Sequence, residues 1–480
     1  MATVIHDNVL GPIELEAPLL ALVDHPAVQR LRRLEQLGTA SLVFPGARHT
    51  RLAHSIGAQE IMRRVWRRLK ATEPPPGVDL DAEGRLLRAA ALLHDLGHYP
   101  LSHVVEPIAA WLHEPATDRL DFGLDPCCES DWLQLAAVAA SLPAPTSDMH
   151  HERLAAEIIR RDPGLQRGID AYVGRPDAAA EVRALLQGCS SPRYRGQLVS
   201  SHFDVDRLDY LLRDAHNAGV RYGGVELEHL IRRMRLGPDG AGNHVVYVET
   251  RGQPALEHYL LARRFMYSQV IFHKTVTAFS VLVAAFWVSL AVRDRLPFTS
   301  LAGLHQALDD GMFRSFDDHW LWNEAARRAD PAGRGMTARI ATALVDRKPP
   351  LLAWEQRARG TQAQSGLLET FTEHRRAIAR DAGVEAADIF LTDQVVTGTS
   401  GGNGGLGAGE PPLVGDPGGR LRPITEAPGS ALEGVGGQPE RLARLFVLRT
   451  GDLDVDPTRR RRVRDAFLSG MSLAAPPAAN

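Results

Sequence analysis

Residues 88–103 read RAAALLHDLGHYPLSH: an apolar run, an adjacent His94–Asp95 pair, a second imidazole at His98 and a third at His103. The run predicts a buried helix over residues 85–96, with Gly97 as its stop. Successive side chains on a helix diverge by about 100°, so His94 and Asp95 both reach one ion only where the helix is ending. Buried imidazoles and a buried carboxylate each need a partner, and a metal ion is the simplest one they can share.

Two ligands do not hold a metal, so the rest of the chain must supply others. His54 lies in RLAHSIGAQEIMRRVWRRLK, a helix expected over 51–70, and Asp206 lies in FDVDRLDYLLRDAH, a helix expected over 203–216 that also carries Asp209 and Tyr210. Helices from separate parts of the chain can converge in a bundle. Two imidazoles and two carboxylates without a thiolate suit one divalent ion, Mn²⁺, Fe²⁺, Mg²⁺, Zn²⁺ or Ni²⁺, with positions left for water and a phosphate oxygen.

Other segments are helical as well. DHPAVQRLRRLEQL predicts a helix over 24–37, capped by Asp24, with Pro26 in its first turn and Gly38 after it. PPPG at 74–77 breaks the chain, and another helix starts near His151. Residues 234–249, around GPDGAGN, alternate as a β-hairpin. The uncharged run 275–292 touches the lower length limit for a membrane span, but its Thr and Ser content favours a buried core helix. Residues 397–438 are Gly- and Pro-rich and predict a flexible linker. After it ARLFVLR reads as a strand and PTRRRRVRDAFLSG as a basic helix, and the last ten residues read as disordered.

The chain has 480 residues, 44% hydrophobic and 24% charged, enough for one large core with appendages. A net charge of −3 gives no overall pull toward nucleic acid. The runs RLRR (30–33) and RRRRVR (459–464) read as solvated helix faces. The three cysteines, Cys127, Cys128 and Cys189, form neither a disulfide framework nor a CxxC pair. With no basic-then-apolar leader in MATVIHDNVLGPIEL, a cytoplasmic location is expected.

Six motifs in order, VIHDNVLGPIEL, HPAVQRLRRLEQLG, VFPGARHTRLAHSIG, LLHDLGHYPLSH, HHE and DVDRLDYLLRDAHNAG, resemble the HD-domain phosphohydrolase superfamily. Within it they resemble the deoxynucleoside triphosphate triphosphohydrolases (dGTPase-like enzymes), including the animal enzymes with an appended SAM domain. The likeness spans about residues 3–292. It implies a mainly α fold: an HD-domain helical bundle with a short β-hairpin (1–295) and a small α+β C-terminal region. The expected remainder is a helical lobe (296–396), the linker (397–438), a strand-helix element (439–470) and the tail (471–480).

The resemblance also implies a reaction, hydrolysis of a dNTP to deoxynucleoside and inorganic triphosphate by metal-activated water at the α-phosphorus. His54, His94, Asp95 and Asp206 would hold the metal. His98, Glu106 and His151 would be catalytic, His151 protonating the leaving 5′-oxygen and Glu106, where the animal enzymes have Asp, orienting it. Substrate contacts would come from Gln36, Leu37, Arg51, His103, Arg207, Tyr210, Asp214, Arg263 and Tyr267. Arginine forks suit a triphosphate. Tyr267 and Ile271 depart from the animal pattern, which has His and Tyr there. Asp24, Gln29 and Arg32 match an allosteric nucleotide site whose phosphate side is altered by Thr3 and His6, and the family implies a homo-oligomer, dimer or tetramer.

The alternative is HD-domain phosphohydrolysis of another nucleotide or of nucleic acid. The HDxxED of alarmone hydrolases and the GYP of cyclic-dinucleotide phosphodiesterases are absent. Nucleic-acid binding is disfavoured by an aromatic content of 6% without stacking residues in the basic runs. A catalytically dead nucleotide-sensing scaffold is disfavoured by the complete ligand set. Pool control and restriction of phage replication both fit.

Overall fold

The structure is a computed structural model that describes residues 2–72, 74–75, 77–113, 123–141, 149–189, 191–294, 296, 300–359, 366–396, 411–416, 419–432, 440–449 and 457–474. Four helices build the centre: Arg51–Lys70, Leu80–Leu93, His151–Arg161 and Val205–Ala218. Three begin on side-chain caps, with Thr50, Asp79 and Asp204 accepting from backbone N–H groups of the first turn. Arg51–Lys70 packs on both Leu80–Leu93 and Val205–Ala218, so His54, His94 and Asp206 can meet.

After Leu93 the chain tightens into a 3-10 turn, His94–Gly97, on which His151–Arg161 packs. Gly97 serves closeness rather than handedness. A Cβ there would stand 2.1 Å from the carbonyl oxygen of His151 and 2.6 Å from Leu154 Cβ.

The apolar run forms Lys274–Asp294. Its segment Lys274–Arg293 is long and apolar enough to cross a membrane, yet most of it is buried inside the protein. Phe279, Leu282, Phe286 and Trp287 are fully buried, and the helix packs on Trp132–Ser141 and Met336–Val345.

The helix expected over 24–37 is instead Pro26–Gln29 followed by a 3-10 turn, Arg30–Arg33. The chain leaves helical geometry at Leu34 because Glu35 forms a bridge with Thr50 and donates its N–H to Asp318. RLRR is not wholly a solvated face either. Arg30 is completely buried and donates to the carbonyls of Phe316, Leu96 and His98.

The hairpin is present as Met234–Pro238 paired antiparallel with His244–Glu249. It continues into Leu413–Gly415, parallel to His244–Glu249, and then Leu421–Pro423. Both added strands come from the stretch read as a linker. Val414, Ile424 and Leu432 are buried, so the described part of 397–438 contributes to the core despite its composition; residues 397–410, 417–418 and 433–439 lie outside the described residues. The N-terminal hairpin, Thr3–Asp7 with Gly11–Leu15, was not expected.

The region read as a helical lobe also holds two strands. Leu351–Arg359 and Ile389–Val396 flank Glu440–Val447 in an antiparallel sheet covered by Leu367–Ala382 and Pro457–Ala474. This last helix runs past 470 into the expected tail, of which residues 475–480 lie outside the described residues. The edge strand Ile389–Val396 is fastened to the Trp132–Ser141 helix, with Leu391 N donating to Gln134 Oε1 at 2.9 Å and Asp393 N to Ser141 Oγ at 2.8 Å.

Candidate metal centre and phosphate site

His54 and His94 direct their Nε2 atoms at each other across 3.3 Å, and Asp206 Oδ1 lies 3.0 Å from the first and 3.6 Å from the second. All three offer ligand atoms within 4.8 Å of one another. Asp95 borders them, Oδ1 at 3.3 Å from His94 Nε2 and Oδ2 at 3.8 Å from His54 Nε2. Its oxygens also face His98 Nε2 (3.1 Å) and Arg51 Nη1 (2.7 Å). The four residues chosen from sequence are therefore brought together.

The other ring nitrogens are already engaged. His94 Nδ1 donates to Ala91 O at 2.8 Å, and His54 Nδ1 donates to Asp209 Oδ2 at 2.8 Å. Arg213 grips both oxygens of Asp209 and reaches Asp7 at 2.7 Å. Gly57 makes room for this pair, since a Cβ there would stand 2.0 Å from Asp209 Oδ1. Such outer partners fix the tautomer and leave Nε2 for a cation. Burial alone would lower the His54 pKa, but hydrogen bonds to Asp206 and Asp209 push it up to about 10; against the same penalty, Asp95 and Asp206 push His94 up to about 9. A site that draws protons this strongly calls for positive charge, and the donor set fits a divalent ion.

Beside it stand His98, His103, Glu106 and His151. Glu106 Oε1 accepts from both the Nδ1 (2.8 Å) and the backbone N (2.9 Å) of His151. The His98 and His151 rings stack at 3.9 Å. Burial opposes protonation of His151, but Glu106 raises its pKa above the ordinary value. Burial, Arg51 and His151 hold His98 well below its usual range. The surroundings thus favour a proton on His151 and disfavour one on its stacked neighbour His98.

Cationic groups line the next shell of the cleft. Arg51 donates Nε to Ser102 Oγ at 2.5 Å, while among the described residues its buried Nη2 has no hydrogen-bond partner. Arg207 is tied to Asp204 (2.5 Å); among the described residues its Nε has no partner, nor has the buried Tyr210 hydroxyl. Arg263 is buried and lies 5.6 Å over the Tyr267 ring. These unspent donors fit an anionic ligand. Gln36, Leu37, His103 and Tyr267 line an adjoining cavity of about 160 Å³.

Other expected residues have partners within the chain. Asp214 pairs with the buried His49 at 2.7 Å. Asp24, Gln29 and Arg32 sit together near the surface, Arg32 donating to Gln29 Oε1 and Gln29 to Val23 O. Sequence reasoning missed Arg213 and gave no role to Asp209. It also missed Ser102, whose role depends on Arg51, and Gln394, which lines the cavity from a strand about 290 residues further on than Ser102.

Residues 51–214 match the HD domain family model, and all four metal-site residues fall inside the match. The uncharacterized protein YwfO of Bacillus subtilis is 32% identical over 256 residues, 53% of this chain and 48% of that protein. The deoxynucleoside triphosphate triphosphohydrolase SAMHD1 homolog of Dictyostelium discoideum is 30% identical over 222 residues, 45% of this chain and 36% of that protein. The chain thus spans about half or less of these relatives' length. A solved phosphohydrolase from Bacteroides thetaiotaomicron superposes with a TM-score of 0.66 at 22% identity, over 94% of this chain and 100% of that one, which is a likeness of fold.

Proposed function

This chain carries an HD domain over residues 51–214, and we propose that it is a divalent-metal-dependent hydrolase that converts deoxynucleoside triphosphates to deoxynucleoside and inorganic triphosphate. The observation that carries this reading is the meeting of His54, His94, Asp95 and Asp206 beside three buried arginines, Arg51, Arg207 and Arg263.

When bound, the ion supplies Lewis acidity toward a phosphoryl oxygen and acidifies water. The residues of the chain do the rest. Arg51, Arg207 and Arg263, with the Tyr210 hydroxyl, bind and orient the phosphates. His151, held by Glu106, keeps a proton for the leaving 5′-oxygen. Burial of the cluster excludes bulk water and strengthens each of these interactions. The similarity to the SAMHD1 homolog supports the nucleotide class. The three cysteines are free, in keeping with our proposal of a cytoplasmic enzyme.

The test is to incubate the purified protein with each dNTP and NTP and with Mn²⁺, Mg²⁺ or Fe²⁺, and to separate the products by chromatography. Deoxynucleoside plus triphosphate is expected. Release of orthophosphate or pyrophosphate, or no product, overturns the reading.

A further inference from the structure

Beyond the HD domain, the strand Ile389–Val396 reaches back to the cavity and places Gln394 in its wall, with Gln36, Leu37, Phe272, Thr277 and Tyr267. Most of that lining is aliphatic or aromatic, which suits the faces of a flat ring. Ser102 lines the same cavity and accepts from Arg51, so a ligand with phosphate on Arg51 has its other end directed there.

The polar atoms of the wall have defined roles. Arg444 Nη1 can only donate, so the Thr277 hydroxyl accepts from it at 3.4 Å and passes its own hydrogen to Gln394 Oε1 at 3.3 Å. Arg444 is itself anchored by Glu355 at 2.7 Å and the carbonyl of Phe272 at 2.6 Å. In this arrangement the Gln394 amide turns its oxygen toward Thr277 and leaves its nitrogen over. Among the described residues, Gln394 Nε2 has no hydrogen-bond partner, although the residue is only 7% exposed. Gln36 Oε1 is likewise a buried acceptor without a partner among the described residues. The apolar cavity therefore offers one unspent donor and one unspent acceptor, the complement of a nucleobase edge with an acceptor and a donor.

We propose that Gln394, contributed by the C-terminal sheet, is a specificity-determining residue that donates to the base of the bound nucleotide. The proposal rests on the dNTP reading above. A buried site built to pair with a polar group discriminates strongly against ligands that leave it unpaired.

The experiment measures kcat/KM of the full chain on all four dNTPs for the wild type, Gln394→Leu and Gln394→Glu. Gln394→Leu is expected to lower kcat/KM for the preferred dNTP by roughly tenfold or more and to flatten the order among bases. Gln394→Glu, which keeps the size but replaces the donor with an acceptor, is expected to alter that order and decides the matter should the leucine variant not fold. Hydrolysis of dNTPs by the wild type with both folded variants changing all four substrates by one common factor, or none, overturns the role of Gln394 alone. A wild type inert toward every dNTP overturns the role and the underlying reading together.

Discussion

Asp209 accepts the Nδ1–H of His54 at 2.8 Å, and Arg213 holds that carboxylate through both of its oxygens. The imidazole is thereby committed to presenting Nε2 to the ion. Asp209→Asn loses the charge and the unambiguous acceptor, and an outer partner of this kind is worth about 10–100-fold in metal affinity. Calorimetric Mn²⁺ titration is expected to show a loss of that size; an unchanged affinity removes Asp209 from the account.

Glu106 sets the protonation of His151. Burial opposes the charged imidazole, but Glu106 raises its pKa above the ordinary value and so favours the protonated form. An acid catalyst works while protonated, and its activity falls as pH rises through that raised pKa. Glu106→Gln removes the carboxylate charge, and the alkaline limb of the kcat–pH profile is expected to move to lower pH. A limb that stays in place or moves upward contradicts this pairing.

Arg51 and Asp95 form a pair whose side chains are 1% and 3% exposed. Burial alone would raise the Asp95 carboxyl, yet Arg51, His94 and His98 hold it well below the usual carboxylate range. In metal-free protein, Arg51→Ala removes the nearest cationic partner of that carboxylate, leaving only imidazoles, and is expected to lower stability by up to about 3–5 kcal/mol, read by urea denaturation. In metal-loaded protein the variant is expected to raise KM, because a phosphate contact is lost.

Gly97→Ala tests how closely the helices must approach. The added carbon would stand 2.1 Å from His151 O and 2.7 Å from Ala155 N, both backbone atoms that move only with their helix. A loss of about 1–3 kcal/mol is expected in thermal denaturation, with a fall in kcat as His151 is pushed from His98. Normal stability and turnover would contradict the packing described.

What the sequence disclosed followed from locality. The His94–Asp95 pair sits at the end of an apolar helix, and His54 and Asp206 lie on strongly patterned helices, so their convergence could be anticipated. The break at Leu34 could not, because it depends on Thr50 and Asp318. Arg30 looked like a surface residue within RLRR, but its carbonyl partners Phe316, Leu96 and His98 are distant in the chain. Composition misled over 397–438, where a few apolar residues such as Val414 and Ile424 suffice to extend a sheet whose other strands already exist. Gln394 carries no local signal, because its meaning comes from Thr277 and Arg444.

The central claim is that four side chains from three parts of the chain share one ion. Electron paramagnetic resonance of Mn²⁺ added to metal-depleted protein tests it most directly. The account predicts one tight site per chain in the wild type, lost in Asp206→Ala and in His54→Ala while both variants remain folded by circular dichroism. Tight binding that survives in those variants, or no binding by the wild type, contradicts it.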